Sequence, residues 1–203
     1  MTAARSARRR DRAYKVVTLL LAVLLLPLAL VVARGRARHV ACQWALAMRF
    51  PAEDLAGLTP GTRAAFEAAR TQALWRDREL IGLTSGHRSA EEQARLFAEA
   101  IRRTGSPESA RRRVLPPQES RHVAGTALDV RPVEGARWLE QHGARHHLHR
   151  VYDNEWWHFE YRPDRRPERL PHPGASTPTA GEGAARPLRR HCNRPAARTA
   201  SGF

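Results

Sequence analysis

Acid is in short supply in this chain. Asp and Glu number 20 against 35 Lys and Arg in 203 residues, a formal net charge of +15. An excess of that size first suggests nucleic acid, but its location argues against a nucleic-acid-binding domain. Residues 1–38 hold nine basic groups and one acid, Asp11, while residues 163–203 hold eight Arg against Asp164, Glu168 and Glu182. The middle, 39–162, carries 18 basic and 16 acidic residues. The surplus therefore lies in two ends suited to anionic surfaces such as lipid, and no specific nucleic-acid partner is expected. Cysteine is scarcer still. Cys42 and Cys192 allow one disulfide at most, which an oxidising compartment would permit, with free thiols as the alternative. No internal repeat is visible, which excludes a repeat array. Large apolar residues almost vanish beyond Pro163, where Pro, Gly, Ala and Arg dominate. That composition predicts a disordered basic tail over 163–203.

What the chain does have is one long uncharged apolar run, Val16 to Ala33. Arg5, Arg8, Arg9, Arg10, Arg12 and Lys15 precede it, and Arg34, Arg36 and Arg38 follow. As a helix it would span about 27 Å, close to a hydrocarbon core of roughly 30 Å. The stronger basic cluster lies upstream, so 1–15 is expected on the cytoplasmic side and the remainder outside. Pro27 is tolerable in a membrane helix. An uncleaved transmembrane anchor over 16–33 is favoured over a cleaved signal peptide, because the run is long for an h-region. Both readings export the rest of the chain.

Residues 34–58 read as a connector with a short apolar patch around Trp44–Phe50. Thr59-Pro60 opens a helix, an N-cap candidate followed by proline, expected to run to about Arg78. Its buried stripe is assigned to Ala64, Ala65, Ala68 and Leu74, with Phe66 and Trp75 beside it. Leu80–Thr84 reads as a short strand. Ser89 with Glu92 forms a capping box for a helix ending at Gly105. A loop then covers about 105–124. Ala127–Val130 reads as a strand and 134–142 as a helix. His147–Tyr152 and Trp157–Tyr161 read as two strands that turn at Asp153-Asn154. Helices interleaved with short strands predict an α+β domain over 59–162, with a small, largely antiparallel sheet and packed helices.

Three segments of that domain carry chemistry: Ser120–Asp129, Glu155–His158, and Ser85–Ser89 with Gln93 on the following helix. Two imidazoles and a carboxylate, His122, Asp129 and His158, suit one zinc ion at the sheet with a coordination position left open for water. A reversal at Gly125 could bring His122 and Asp129 together, and His158 would arrive from the neighbouring strand. Glu155, three residues before His158, is the candidate general base, taking a proton from water that the ion has made acidic. Arg88 could steady an oxyanion or a substrate carboxylate. His142, His146, His147 and His149 match no metal pattern and are expected on the surface. The Arg111-Arg112-Arg113 run reads as a solvated loop face. Trp156 and Trp157 read as core and rim packing.

The pattern S-x-H-x-x-G-x-A-x-D, preceded by S-G-x-R-S-x-x-x-Q and followed by E-x-W-H, resembles the M15 family of zinc D-alanyl-D-alanine carboxypeptidases and dipeptidases over about residues 76–162. The resemblance implies a metallopeptidase that hydrolyses the terminal D-Ala-D-Ala-type bond of peptidoglycan stem peptides. It implies His122, Asp129 and His158 as zinc ligands, Glu155 as base, and Arg88 as stabiliser of the tetrahedral intermediate. It places Gln93 and Ser120 near the substrate's terminal carboxylate. The Glu155-Trp156-Trp157-His158 segment is closer to the dipeptidase branch. Dipeptidase and L,D-carboxypeptidase activity therefore stay open, as does a non-catalytic wall-binding module. Nothing in the sequence speaks to oligomeric state.

Overall fold

The computed structural model describes residues 2–175, with side chains from Arg9 onward. It is an α+β fold in which a four-stranded antiparallel sheet, in the order β1-β2-β4-β3, has helices packed against it. The strands are β1 (Gly82–Ser85), β2 (Ala127–Arg131), β3 (Leu148–Arg150) and β4 (His158–Tyr161). Side chains alternate across a strand, and here the alternation divides two tasks. Leu128 and Val130 of β2 and Phe159 of β4 enter the main core with Leu83, Phe66, Ala69 and Leu139. Asp129, His158 and Glu160 are out of step with those residues and so share the opposite face.

The main core is closed by α3 (Pro60–Gln72) and α6 (Val133–His142). Thr59 caps α3, its Oγ1 accepting the Thr62 N–H at 3.2 Å with proline next in line. A π-helical turn, Ala73–Asp77, prolongs α3. The buried stripe differs from the one expected. Ala65, Phe66, Ala69, Ala73 and Leu74 are buried, whereas Ala64 and Ala68 face outward. The large Phe66 decides the helix rotation, and the i, i+3, i+4 and i+7 positions around it follow.

α4 (Ala90–Thr104) begins at Ser89, whose Oγ accepts the Glu92 N–H at 3.1 Å, and ends at Gly105 with φ +82°. The region 105–124 is not all loop. Pro107–Arg111 forms a short helix, α5, capped by Ser106, because a serine followed by proline supplies the same start signal as Thr59-Pro60.

The N-terminal region differs from a spanning segment followed by a connector. α1 (Thr2–Val32) runs unbroken through Pro27. Its Arg9–Val32 part is long and apolar enough to cross a membrane, with mean hydropathy 2.7 over an 18-residue stretch. Within 34–58 lies a helix, α2 (Ala37–Arg49), that turns back along α1. Ala22 packs with Cys42, Ala45 and Leu46, and Ala29 with Ala37 and Ala41. Lys15 meets Glu79 at 2.8 Å, so the basic end of α1 lies against the body of the protein. Outward, Val17, Leu20, Leu24 and Val31 stay exposed. The Cys42–Cys192 pairing that the sequence permits involves a residue outside those described, and the tail beyond residue 175 lies outside them as well. Cys42 itself is fully buried. Residues 163–175, expected without order, are held in place. Leu170 bridges Tyr152 and exchanges backbone hydrogen bonds with Val151 and Asp153, and Arg169 pairs with Glu140 and Asp153.

Glu53 shows how tightly the 34–58 segment is joined to the domain. Its Oε2 accepts from Arg70 at 2.9 Å and its Oε1 from the Leu83 N–H at 2.5 Å, with Arg70 and Glu53 side chains only 2% and 6% exposed. Removing one partner of a buried pair leaves the other charge uncompensated. Glu53→Ala should therefore lower unfolding free energy by about 3 kcal/mol. A denaturant titration showing less than about 1 kcal/mol would refute this account of the segment.

Candidate active site

Asp129 and His158 are directly opposed partners in the β2–β4 register. That pairing, on the face turned away from the core, sets His158 Nδ1 3.0 Å from Asp129 Oδ1. His122 comes from the loop before β2. Its backbone carbonyl accepts from the Arg88 and Gly125 N–H groups, and its Nδ1–H donates to the Gly86 carbonyl at 2.6 Å. Nδ1 being so held, Nε2 is turned inward, 3.3 Å from Asp129 Oδ1. Gly125 makes the reversal possible. It has φ +67°, and a Cβ there would sit 2.4 Å from the Gly57 carbonyl oxygen.

One ligand atom from each of His122, Asp129 and His158 lies within 4.8 Å of the others, and all three residues are buried. An ion with bonds of about 2.0–2.1 Å in tetrahedral geometry separates its ligand atoms by roughly 3.4 Å. The two Nε2/Nδ1-to-Oδ1 distances of 3.3 and 3.0 Å fit that spacing. Two imidazoles and one carboxylate are also the donor chemistry that zinc accepts. Burial works against charge on Asp129, but hydrogen bonds from His122 and His158 prevail and hold its carboxyl well below the usual range. On His158, burial opposes the charged ring, while Asp129 and Glu160 on its two nitrogens raise its pKa. An arriving cation must displace that proton, which couples ion uptake to pH.

Around this cluster a cleft of about 380 Å³ is lined by Arg88, Gln93, Ser120, Glu155 and Trp157, among others. Glu155 is buried, its Oε2 4.0 Å from His158 Nδ1. Burial lifts its pKa to about 7; His158 opposes the lift, Asp129 adds to it, and Arg113 and Arg88 pull it down. Arg88 reaches the site already paired with an acid. Its Nη2 bonds Asp129 Oδ2 at 2.7 Å, Nε bonds Ser85 and Nη1 bonds Gln93. A β-bulge between Leu83 and Ser85, where β1 pairs with β2, turns the chain so that this reach is possible. Gln93 is buried and donates to the Leu115 carbonyl at 2.7 Å, and Ser120 is buried at the wall. Trp157 borders the cleft, whereas Trp156 is 40% exposed.

His142, His146, His147 and His149 do not converge. His142 lies edge-on against Trp138, and His146 meets Gln72. Sequence reasoning missed Glu160 and Tyr152. Glu160 Oε1 stands 3.5 Å from His158 Nε2, and its Oε2 is tied to Arg162. The Tyr152 ring stacks on the His158 ring with centroids 5.1 Å apart. The signal for Glu160 was present: it stands two residues after His158 on a strand, hence on the same face.

The family profile described as "VanY: D-alanyl-D-alanine carboxypeptidase" matches residues 57–164, more than half of the chain. The chain belongs to the VanY family. No curated sequence matches it. Among solved structures, this VanY-family chain is similar to the LdcB LD-carboxypeptidase at 19% identity and TM-score 0.46, over 51% of this chain. It spans 58% of LdcB, less than two thirds of that protein's length. It is also similar to the VanY D,D-pentapeptidase of a VanB-type resistance cassette, solved with Zn(II), at 23% identity and TM-score 0.47, over 54% of this chain and 76% of that one. A third similarity is to the L,D-carboxypeptidase DacB of Streptococcus pneumonia, at 25% identity and TM-score 0.43, over 53% and 67%.

A carboxylate behind a ligating imidazole fixes the ring and raises its basicity. Glu160→Gln should therefore weaken zinc uptake by roughly tenfold in a competition titration against a chromophoric chelator. Unchanged affinity would show that Glu160 only completes the fold.

Proposed function

We propose that this chain is a zinc-dependent peptidase that removes the terminal D-alanine from peptidoglycan stem peptides. The observation that carries the reading is the buried His122, Asp129 and His158 cluster with Glu155 4.0 Å from His158. Membership of the VanY family, whose description names the D-alanyl-D-alanine carboxypeptidase activity, supports it. His122 through Nε2, His158 through Nδ1 and Asp129 through Oδ1 would hold one ion, which when bound supplies Lewis-acid activation of water and of the scissile carbonyl.

The chain's own groups supply the rest. Glu155 takes a proton from the attacking water and passes it to the leaving amine of the released D-alanine. Its burial favours both halves of that task, since it brings the pKa to about 7. Arg88 keeps Asp129 ionised and oriented, and its charge at the cleft wall favours negative charge developing on the carbonyl oxygen. Ser120 and Gln93 stand on the same wall, where they would meet the substrate's terminal carboxylate. Dipeptidase activity with the same residues is the second reading, favoured by the Glu155-Trp156-Trp157-His158 segment. α1 is proposed to hold the chain at the membrane with the catalytic part on the outer side, an arrangement that separates Lys15 from Glu79 when α1 crosses the bilayer.

Zinc-loaded full-length protein should release D-alanine from a stem pentapeptide faster than it cleaves free D-Ala-D-Ala, and stripping the metal should stop it. Full turnover by metal-free protein would defeat the proposal, and preference for the dipeptide would favour the second reading. Glu155→Ala should bind zinc normally while losing at least about 100-fold in kcat; equal turnover would remove Glu155 from its role. The intact chain should stay in the membrane pellet after an alkaline wash. A mature N-terminus beyond Ala33 would show cleavage instead.

A further inference from the structure

The cleft carries more positive charge than the proposed reaction uses. Arg88, Arg103, Arg113 and Arg121 all line it. Arg88 is occupied by Asp129, Gln93 and Ser85. Of the acids in the same wall, Asp129 is bonded to Arg88 and Glu160 to Arg162, while the Glu155 carboxylate has no arginine within 4.0 Å among the described residues and feels Arg113 and Arg88 only at longer range. Among the described residues, no carboxylate lies within 4.0 Å of the guanidinium of Arg103, Arg113 or Arg121.

The three consecutive arginines that read as one solvated face are in fact divided. Arg111 turns to Glu119, and the Arg112 carbonyl accepts from Asn154 at 3.0 Å. Those two contacts tie the segment to its neighbours and direct Arg113 into the cleft. Arg103, in the last turn of α4, lines the same cleft. Arg102, beside it on the helix and equally placed to favour the helix C-terminus, does not. Arg103 and Arg113 are solvent-exposed where they line the cleft, and guanidinium groups there suit a planar carboxylate, which they can bind through paired N–H donors.

A substrate bound only through its C-terminal carboxylate would leave Arg103 without an anionic partner and Arg113 with only its long-range effect on Glu155. We infer that Arg113 and Arg103 form a second anion subsite, which selects stem peptides bearing a free carboxylate on the amino-terminal side of the scissile bond. The inference rests on the proposed activity for its substrate class and deepens it: the third residue would be an acid-bearing diamino acid in preference to lysine. A carboxylate of that residue and the α-carboxylate of the preceding D-glutamate offer the same chemistry, so the test must separate them.

The test compares four stem pentapeptides on the zinc-loaded full-length protein. One has diaminopimelate in third position, one its amide and one lysine; the fourth has diaminopimelate preceded by D-isoglutamine. Both kcat/KM and, by calorimetry on the Glu155→Ala variant, binding are measured, so a selectivity is readable without turnover. Free-carboxylate diaminopimelate should be preferred over its amide and over lysine by roughly tenfold, chiefly through KM. Arg113→Gln should collapse that ratio toward one, with Arg103→Gln acting in the same direction. Arg102→Gln removes the same charge outside the cleft and should leave the ratio intact. If only the D-isoglutamine peptide is disfavoured, the subsite reads the second residue and the third-residue assignment is wrong. Equal binding of all four peptides, or a ratio that survives Arg113→Gln, overturns the subsite. Selective binding without release of D-alanine from any peptide would sustain the subsite and overturn the proposed activity.

Discussion

The antiparallel register that sets Asp129 opposite His158 is the constraint on which the site depends. A strand pair with one buried face cannot slip by a single residue without sending its apolar side chains to the other side. Leu128, Val130 and Phe159 are locked into the core, so Asp129, His158 and Glu160 are held on the opposite face by the same packing. The geometry of the candidate site is thus a by-product of core packing on a short sheet. A buried carboxylate in such a place is costly unless it is bonded to donors. Here His122, His158 and Arg88 converge on Asp129 and supply them.

Outside that strand pair, the site is assembled by loops pinned at their backbones. His122 is positioned by contacts of its own carbonyl and ring with the Gly86–Arg88 segment, and by the turn at Gly125. Glu155 sits just ahead of β4, where the turn from β3 delivers it to the rim of the cluster. Residues 163–175 follow β4 and lay Pro173 along the cleft. The N-terminal helices form a second apolar cluster with Leu74 and Leu80. They contribute no residue to the lining of the cleft.

Much of the fold was legible before any coordinates. Proline after Thr59, the Ser89–Glu92 spacing and the glycine at position 105 each mark a helix end by a local backbone requirement, and local requirements survive folding. The buried stripe of α3 was misread because Ala carries little periodic signal; the larger Phe66 determines which alanines turn inward. α2 was missed since its apolar residues gain a partner only when α1 folds back over them. Order in 163–175 was invisible for a similar reason. Its hold comes from backbone pairing of Leu170 with the Val151–Asp153 segment and from Arg169 with distant acids, neither of which leaves a pattern in composition.

The sequence alone named the residues of the candidate site. His122, Asp129, His158 and Glu155 stand in segments whose spacing can serve one ion and one base, and residue type and order are properties of the chain itself. Tertiary structure decided how those groups are employed. It bound Arg88 to Asp129, placed Glu160 and Tyr152 behind His158, and turned Arg113 inward while its neighbour Arg111 paired with Glu119. Such choices depend on which distant groups compete for each charge, and that competition exists only once the chain has packed.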